Sequence, residues 1–595
     1  MKKRNEIDNK YKWDLSVLKK VVEDEGNTVE ILEKKVADLI QLKNSYTQNA
    51  TSFYEALELY FDIMRSLTNR FVYFQQTLDV DLNDNVSQLN KNEIDRLYNA
   101  VNTKLSFFET KILELDYDVV LSFIKENKRL EKYKFYLEAL FRYKKYTLSE
   151  DNEFILSSLS LTFASFSKTF NYLNDSDITF KDIEVDSKVL PLNNSNFILY
   201  LNNKNRKIRE LAFKNLYNGY MGLKNTFSSL LIENINTAKA LASIRGFNST
   251  IEYFLYADNV DVLVYNNLIK VVNSNIDKLD KYMKIRKKIL GLEELRNYDL
   301  YVPLVKEEEK EYTICECENL VKSAYQVLGQ EYMKIVEEAF IDKWIDYLPN
   351  EGKKSGAYSY GTYDSKPYIL TNYQGKYGCV STVAHELAHS VHSKLACDNQ
   401  DYVNSDYSIV VAEIASTVGQ LLLADYVLKH SKSKEEKLFI LNDILELFRT
   451  TIYRQTMFAE FEYIIHEMVD RDEVLTEQVL SDIYYGLNKK YYGNVVKLDE
   501  EIRYEWLRIP HFYRNFYVYK YATGLGCACA IVKDIMSGDS DKINNYLNIL
   551  KSGGNDYPFE ILKKYGYDLT KEDILNNAFS MFDDYLKQFE DNLEE

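Results

Sequence analysis

The chain is predicted to be mainly α-helical, and three observations carry that reading. Only 6 prolines and 20 glycines punctuate 595 residues, so little interrupts long helices. Apolar residues recur at three- and four-residue spacing along most of the length. One stretch, GAYSYGTYDSKPYILTNY at 356–373, reads as the single convincing strand pair, with Tyr, Ile and Thr flanking a turn at Asp364-Ser365-Lys366.

Taken in order, Trp13-Asp14-Leu15 opens the first helix, and 29–45 has apolar residues at helical spacing with solvated Lys and Glu between them. Segments near 50–78, 87–113, 117–143 and 148–173 continue the pattern. They lack proline and sustained heptads, which predicts a packed antiparallel bundle, an N-terminal helical lobe over 1–190. That lobe contains no histidine or cysteine and reads as structural, or as a cap over a cleft. Residues 176–203 mix short β-type runs with Asn, Asp and Pro, which places a boundary there and assigns 191–595 to a second region. Helices resume at 205–245 and 260–291, and Asn297–Pro303 breaks them. Glu307–Glu311 is an acidic run expected in a solvated loop, and two more helices fill 313–343. After the strand pair come helices at 378–397, 406–428 and 434–468. The end, 500–595, is helical with one interruption at Pro510-His511.

Net charge is −17, which argues against a nucleic-acid partner and against an acidic membrane surface. The start, MKKRNEIDNKYKWDL, is charged with no apolar core behind it, so no secretory signal is expected and a cytoplasmic location is. The six cysteines are sparse and read as reduced thiols. The two C-x-C pairs, 315/317 and 527/529, are too close for a zinc knuckle and read as packing residues.

Chemistry concentrates in GCVSTVAHELAHSVHSKLAC at 378–397, which contains His385-Glu386-Leu387-Ala388-His389, an H-E-x-x-H pattern. On a helix, positions i and i+4 share a face, so both imidazoles can converge on one ion while Glu386 reaches a water beside it. Val380, Val383, Leu387, Val391 and Leu395 form the apolar stripe that would bury the back of this helix. Two histidines leave a tetrahedral zinc one protein ligand short. Glu413, 24 residues after His389, is the candidate third ligand, since its apolar company (Val410, Val411, Ile414, Ala415, Val418) makes a carboxylate there need a partner. His392 suits a supporting or packing role, and His430 and His466 read as surface or bundle residues. A strand just before the motif helix, at Gly356, Ala357 and Tyr358, could pair with an extended peptide backbone.

A second segment, Ile509-Pro510-His511-Phe512-Tyr513-Arg514-Asn515-Phe516-Tyr517-Val518-Tyr519-Lys520-Tyr521, places Tyr513, Tyr517 and Tyr521 at i, i+4 and i+8, expected on one helix face. Amide hydrolysis develops an oxyanion that needs donors, and an imidazole with a phenol suits that need.

The chain resembles the oligoendopeptidase F family of thimet-oligopeptidase-like zinc metallopeptidases. The resemblance rests on KWDLSVL near the start, SGAYSYGTYDSKPYILTNYQG, HELAHSVHS, SDYSIVVAEIAST and IPHFYRNFYVYKYATG, in that order over most of the chain. It implies a two-lobed helical metallopeptidase with a deep substrate channel and a small β-ribbon beside the active-site helix. It implies one zinc ion held by His385, His389 and Glu413, and Glu386 as the catalytic carboxylate. His511, with Tyr517 or Tyr521, would hold the oxyanion, and Tyr513 and the 356–358 strand would contact substrate. Short unfolded peptides are the substrates it implies. Ala388 stands where the family usually has glycine, and Asn515 where proline is common. Two other readings are weighed: a non-catalytic oligopeptide carrier, which an intact Glu386 argues against, and a zinc carboxypeptidase, which would need a cation such as Arg514 for the terminal carboxylate.

Overall fold

A computed structural model of the chain describes residues 2–186, 188–305 and 310–594. The acidic run therefore lies largely outside the described residues. Helices dominate, as composition predicts, and the described strands are two or three residues long. The chain divides into two compact units, each assembled from three stretches: Met1–Lys145, Glu309–His430 and Ile531–Gly566 in the first, Tyr146–Glu308, Ser431–Ala530 and Tyr567–Glu595 in the second. The expected boundary near 190 falls inside the first stretch of the second unit.

In the first unit the longest helix is Ala50–Asp79. Asn49 starts it, its side-chain oxygen accepting from the amides of Thr51 and Ser52, which satisfies two donors that the first turn leaves unpaired. Its buried face (Phe53, Ala56, Leu57, Ile63 and Leu67) joins Leu32, Val36 and Leu39 of Val29–Gln41 and Phe108, Ile112 and Val120 farther on in one apolar core. Each of the Leu, Ile, Val and Phe side chains among them contributes roughly 1.5–3 kcal/mol of burial. Tyr46 places its ring in this core and donates its hydroxyl to the Phe108 carbonyl at 2.6 Å, which removes the cost of burying the polar end.

A smaller core ties the start of the chain to the sheet. Trp13, Leu18 and Val72 pack with Tyr368 and Leu370. The sheet has three strands in the order Ile345–Asp346, Tyr368–Leu370, Tyr358–Tyr360. The strand pair expected at 356–373 is thus present, with one extra parallel strand. Tyr358–Tyr360 forms an edge. Ile369 donates its amide to Trp344 O on the inner side, so Ser359, paired opposite Ile369, presents its own N–H and C=O to the open edge.

The motif helix spans Tyr377–Asn399 and the helix carrying Glu413 spans Ile409–His430. They run antiparallel: Ser393 meets Tyr407 at one end (2.6 Å) and Ser381 meets Gln420 at the other (3.1 Å). Gly419 lets them approach, since a Cβ there would stand 2.8 Å from the Ala388 Cβ and would run into the Tyr325 hydroxyl. Ile409–His430 is long and apolar enough to cross a membrane, yet most of its apolar residues are buried in the core of this unit.

The second unit has a hairpin, Ile183–Val185 with Lys188–Leu190, where β-type runs were expected, and a short parallel pair, Leu295–Arg296 with Val496–Lys497. The helix predicted at 434–468 is interrupted. Lys434–Leu447 passes through a π-helical turn, Phe448–Tyr453, into Arg454–Asp470. The end of the chain also departs from prediction. Glu500–Arg508 and Pro510–Tyr513 are 3-10 turns, and regular helix begins only at Tyr519. Tyr513, Tyr517 and Tyr521 therefore do not share one helix face.

Candidate active site

The predicted stripe buries the back of the motif helix: Val380, Val383, Leu387 and Val391 are fully buried and Leu395 nearly so. That fixes which face remains. On it, Nε2 of His385 and Nε2 of His389 lie 3.2 Å apart, and the Glu413 Oε2 is 3.8 Å from His385 Nε2. One ligand atom from each of the three residues lies within 4.8 Å of the others. Ligand atoms around a tetrahedral zinc stand about 3.3 Å apart for bonds near 2.0 Å, so this donor set fits the ion. Its chemistry fits too. Burial, and next the neighbouring His385, push His389 down to about 3, which keeps that ring neutral with a lone pair to donate.

Gln420 fixes the tautomer of His385. Its Nε2 donates to the Ser381 hydroxyl, so its Oε1 faces His385 and accepts from Nδ1–H at 3.0 Å. Nε2 of His385 is left as the acceptor that points toward His389. Sequence reading missed Gln420. The signal was its spacing, seven residues after Glu413, two turns along the same face. Glu413 itself is more exposed than its apolar neighbours suggested, with 48% of its side chain accessible. The neighbours face the core while Glu413 projects from the opposite side of the helix.

Glu386 is 8% exposed. Burial, and then the Glu413 carboxylate, raise it to about 7, against the Ser359 backbone N–H, which favours the charged form. A carboxyl poised there can both take and return a proton near neutral pH. Ser359 is bound to the same helix a second time, through its hydroxyl to that of Ser390 at 2.8 Å. The strand beside the motif helix therefore touches the Glu386 carboxyl, which sequence did not reveal. Of the strand residues expected to meet substrate, Gly356 has φ +83°, and Tyr358 sends its hydroxyl to Asp79 at 2.8 Å. The Ser359 N–H is taken by Glu386 and the Tyr360 carbonyl by Gln76, which leaves the Ser359 carbonyl and the backbone near Ala357 for pairing. His392 packs, stacked on Tyr407 at 3.6 Å between ring centres.

In the second unit, His511 Nε2 lies 3.4 Å from the Tyr521 hydroxyl, and Tyr517 packs edge-on against Tyr521 at 5.4 Å. Burial, then Arg514 and Arg454, lower His511 below its ordinary value. Tyr513 instead packs on Phe170, with its hydroxyl toward the Phe227 carbonyl. Phe516 adopts φ +54°, a left-handed conformation that breaks the expected helix, and its amide is held by Glu462 at 2.7 Å. Asn515, in place of proline, accepts from Asn234 at 2.9 Å, a side-chain tie that proline could not supply.

Residues 199–581 match the sequence family described as Peptidase family M3, and residues 111–180 match the Oligopeptidase F family. An oligoendopeptidase F homolog of Borreliella burgdorferi is 38% identical over 97% of this chain and 98% of its own. Oligopeptidase PepF of Bacillus subtilis is 35% identical over 99% of this chain and 88% of its own. A crystal structure from Chlamydophila abortus, 33% identical, matches with a TM-score of 0.92 over 99% of this chain and 100% of that one. The structure of oligoendopeptidase-F from Enterococcus faecium, 32% identical, matches with a TM-score of 0.73 over 95% and 97%.

Proposed function

The chain belongs to peptidase family M3 and is a metalloendopeptidase, and from that premise we propose that it hydrolyses internal bonds of short unstructured oligopeptides in a zinc-dependent reaction with Glu386 as general base and acid. The observation that carries this is the convergence of His385, His389 and Glu413 beside a buried carboxyl. Those three residues would hold one zinc ion. When bound, zinc lowers the pKa of water and polarises a carbonyl.

The chain's own residues supply the rest. Glu386 takes the proton of the attacking water and passes it to the leaving nitrogen, a role suited to a carboxyl that is neither strongly acidic nor permanently protonated. Gln420 holds His385 in the tautomer that donates Nε2. The Ser359 carbonyl and the backbone near Ala357, on the outer side of the edge strand, align a substrate strand by backbone pairing. His511 with Tyr517 or Tyr521 is the proposed source of oxyanion donors, on the strength of the segment's resemblance to the family. The boundary near 190 is retained as a proposal about sequence modules, and the cytoplasm as the proposed location.

Glu386→Gln is the test. The variant should retain zinc and bind peptide while turnover falls by several orders of magnitude. Full activity on metal-verified protein would remove Glu386 from the mechanism. Product masses from a peptide blocked at both ends distinguish endopeptidase from carboxypeptidase: internal cleavage is expected.

A further inference from the structure

The second unit contains a cavity that the peptidase reading leaves without a role. It has about 20 Å³ of room for a water-sized sphere, enough for one small species. Arg449, Arg454 and Arg508 line it with Glu505, Tyr301 and Tyr492.

The charges around it do not balance. Glu446 serves Arg449 at 2.6 Å and also Arg286 at 2.8 Å, while Glu505 serves Arg454 at 2.8 Å. Arg508 has no carboxylate within ion-pair distance among the described residues. Its guanidinium lies over the Phe197 ring at 5.1 Å, and its buried Nε has no hydrogen-bond partner. Three guanidinium groups, with Arg286 behind the cavity wall, thus share two carboxylates, and Arg508 adds a fourth cation, a local excess of two positive charges. A guanidinium cannot escape by losing its proton, so the excess persists at the cavity, where Arg449 keeps 1% and Arg454 17% of its side chain accessible and Arg508 is half-buried. Glu505 interacts with Arg508 as well as pairing Arg454, and the Tyr220 hydroxyl accepts from Arg508, so the positive charge at the cavity is only partly compensated, which is costly away from bulk water. The backbone supports the same conclusion. Arg449 sits on the π-helical turn Phe448–Tyr453, a departure from regular helix of the kind often found at functional sites.

We propose that this cavity binds one monovalent anion of chloride size, held by Arg449, Arg454 and Arg508. The excess charge selects an anion over a water molecule, and the small volume selects a monatomic species over a carboxylate or phosphate.

Bromide is the probe. Anomalous maps from crystals of the full chain soaked in sodium bromide should show a peak in this cavity, and a map without one overturns the proposal. In solution, the melting temperature of the full chain should be about 2–4 °C higher in sodium chloride than in sodium gluconate at equal ionic strength. Arg508→Gln should melt like the wild type in gluconate and lose the chloride-specific rise. Equal melting of the wild type in the two salts, or a rise that persists in Arg508→Gln, counts against the site. Should Arg508→Gln fail to fold, the bromide map on the wild type still decides.

Discussion

The Nε2 of His385 can act as a ligand because of one amide, and that makes Gln420 the residue whose loss is most informative. Gln420→Leu removes the acceptor for Nδ1–H, freeing the ring to turn and to take the other tautomer. Zinc affinity should fall about 10–100-fold, measured by competition against a chelator, while the melting temperature in excess zinc stays close to wild type. The contrast between Gln420 and its neighbours shows what sequence can report. His385, Glu386 and His389 were legible because their geometry is local, one turn of one helix. Glu413 was legible by spacing, though for a partly mistaken reason, since its carboxylate faces outward while its apolar neighbours face in. Gln420 had no distinguishing chemistry in the sequence, because a glutamine on a helix is ordinary until a histidine stands opposite it.

At the level of elements, two close approaches set the geometry. The motif helix and Ile409–His430 meet where Ala388 faces Gly419, so Gly419→Ala would press against both Ala388 and the Tyr325 hydroxyl. Overpacking there should cost about 1–3 kcal/mol, read as a lower denaturation midpoint, with weaker zinc binding because the two helices carry the ligand set between them. The segment after His511 depends on Glu462. Burial raises its carboxyl to about 8, with the Phe516 amide and the Tyr265 hydroxyl opposing that shift. The folded chain therefore keeps a proton that the unfolded chain releases above about 4.5, so this group's contribution is complete below pH 4.5 and is lost as pH rises to about 8. Glu462→Gln, neutral throughout, should flatten the decline in stability between those values. An unchanged pH profile would show that the group does not titrate this way. Sequence reading put tyrosines on one helix face here because it could not see a left-handed Phe516. Nothing in an ordinary phenylalanine announces φ +54°; the conformation is imposed by the acceptor waiting on another helix.

On the scale of the molecule, bound zinc should stabilise as well as activate. Chelation should abolish peptide hydrolysis and lower the melting temperature, and added zinc should restore both. The first stretch of the chain gives a second test. Its large core is built from residues 32–137, but Trp13 also needs Tyr368 and Leu370, which come from much later in the sequence. A fragment of residues 1–145 should keep helical circular dichroism yet show the fluorescence of water-exposed indole, since Trp13 is its only tryptophan. Blue-shifted emission would contradict the packing. Such long-range assembly is why the helices could be read one by one and the two units could not: periodicity reports which face of a helix is buried, not against what. The threading has a lasting effect of another kind. Because the polypeptide passes from one unit to the other five times, no single cut releases either of them whole. For the same reason neither can be gained, lost or exchanged in one recombination event.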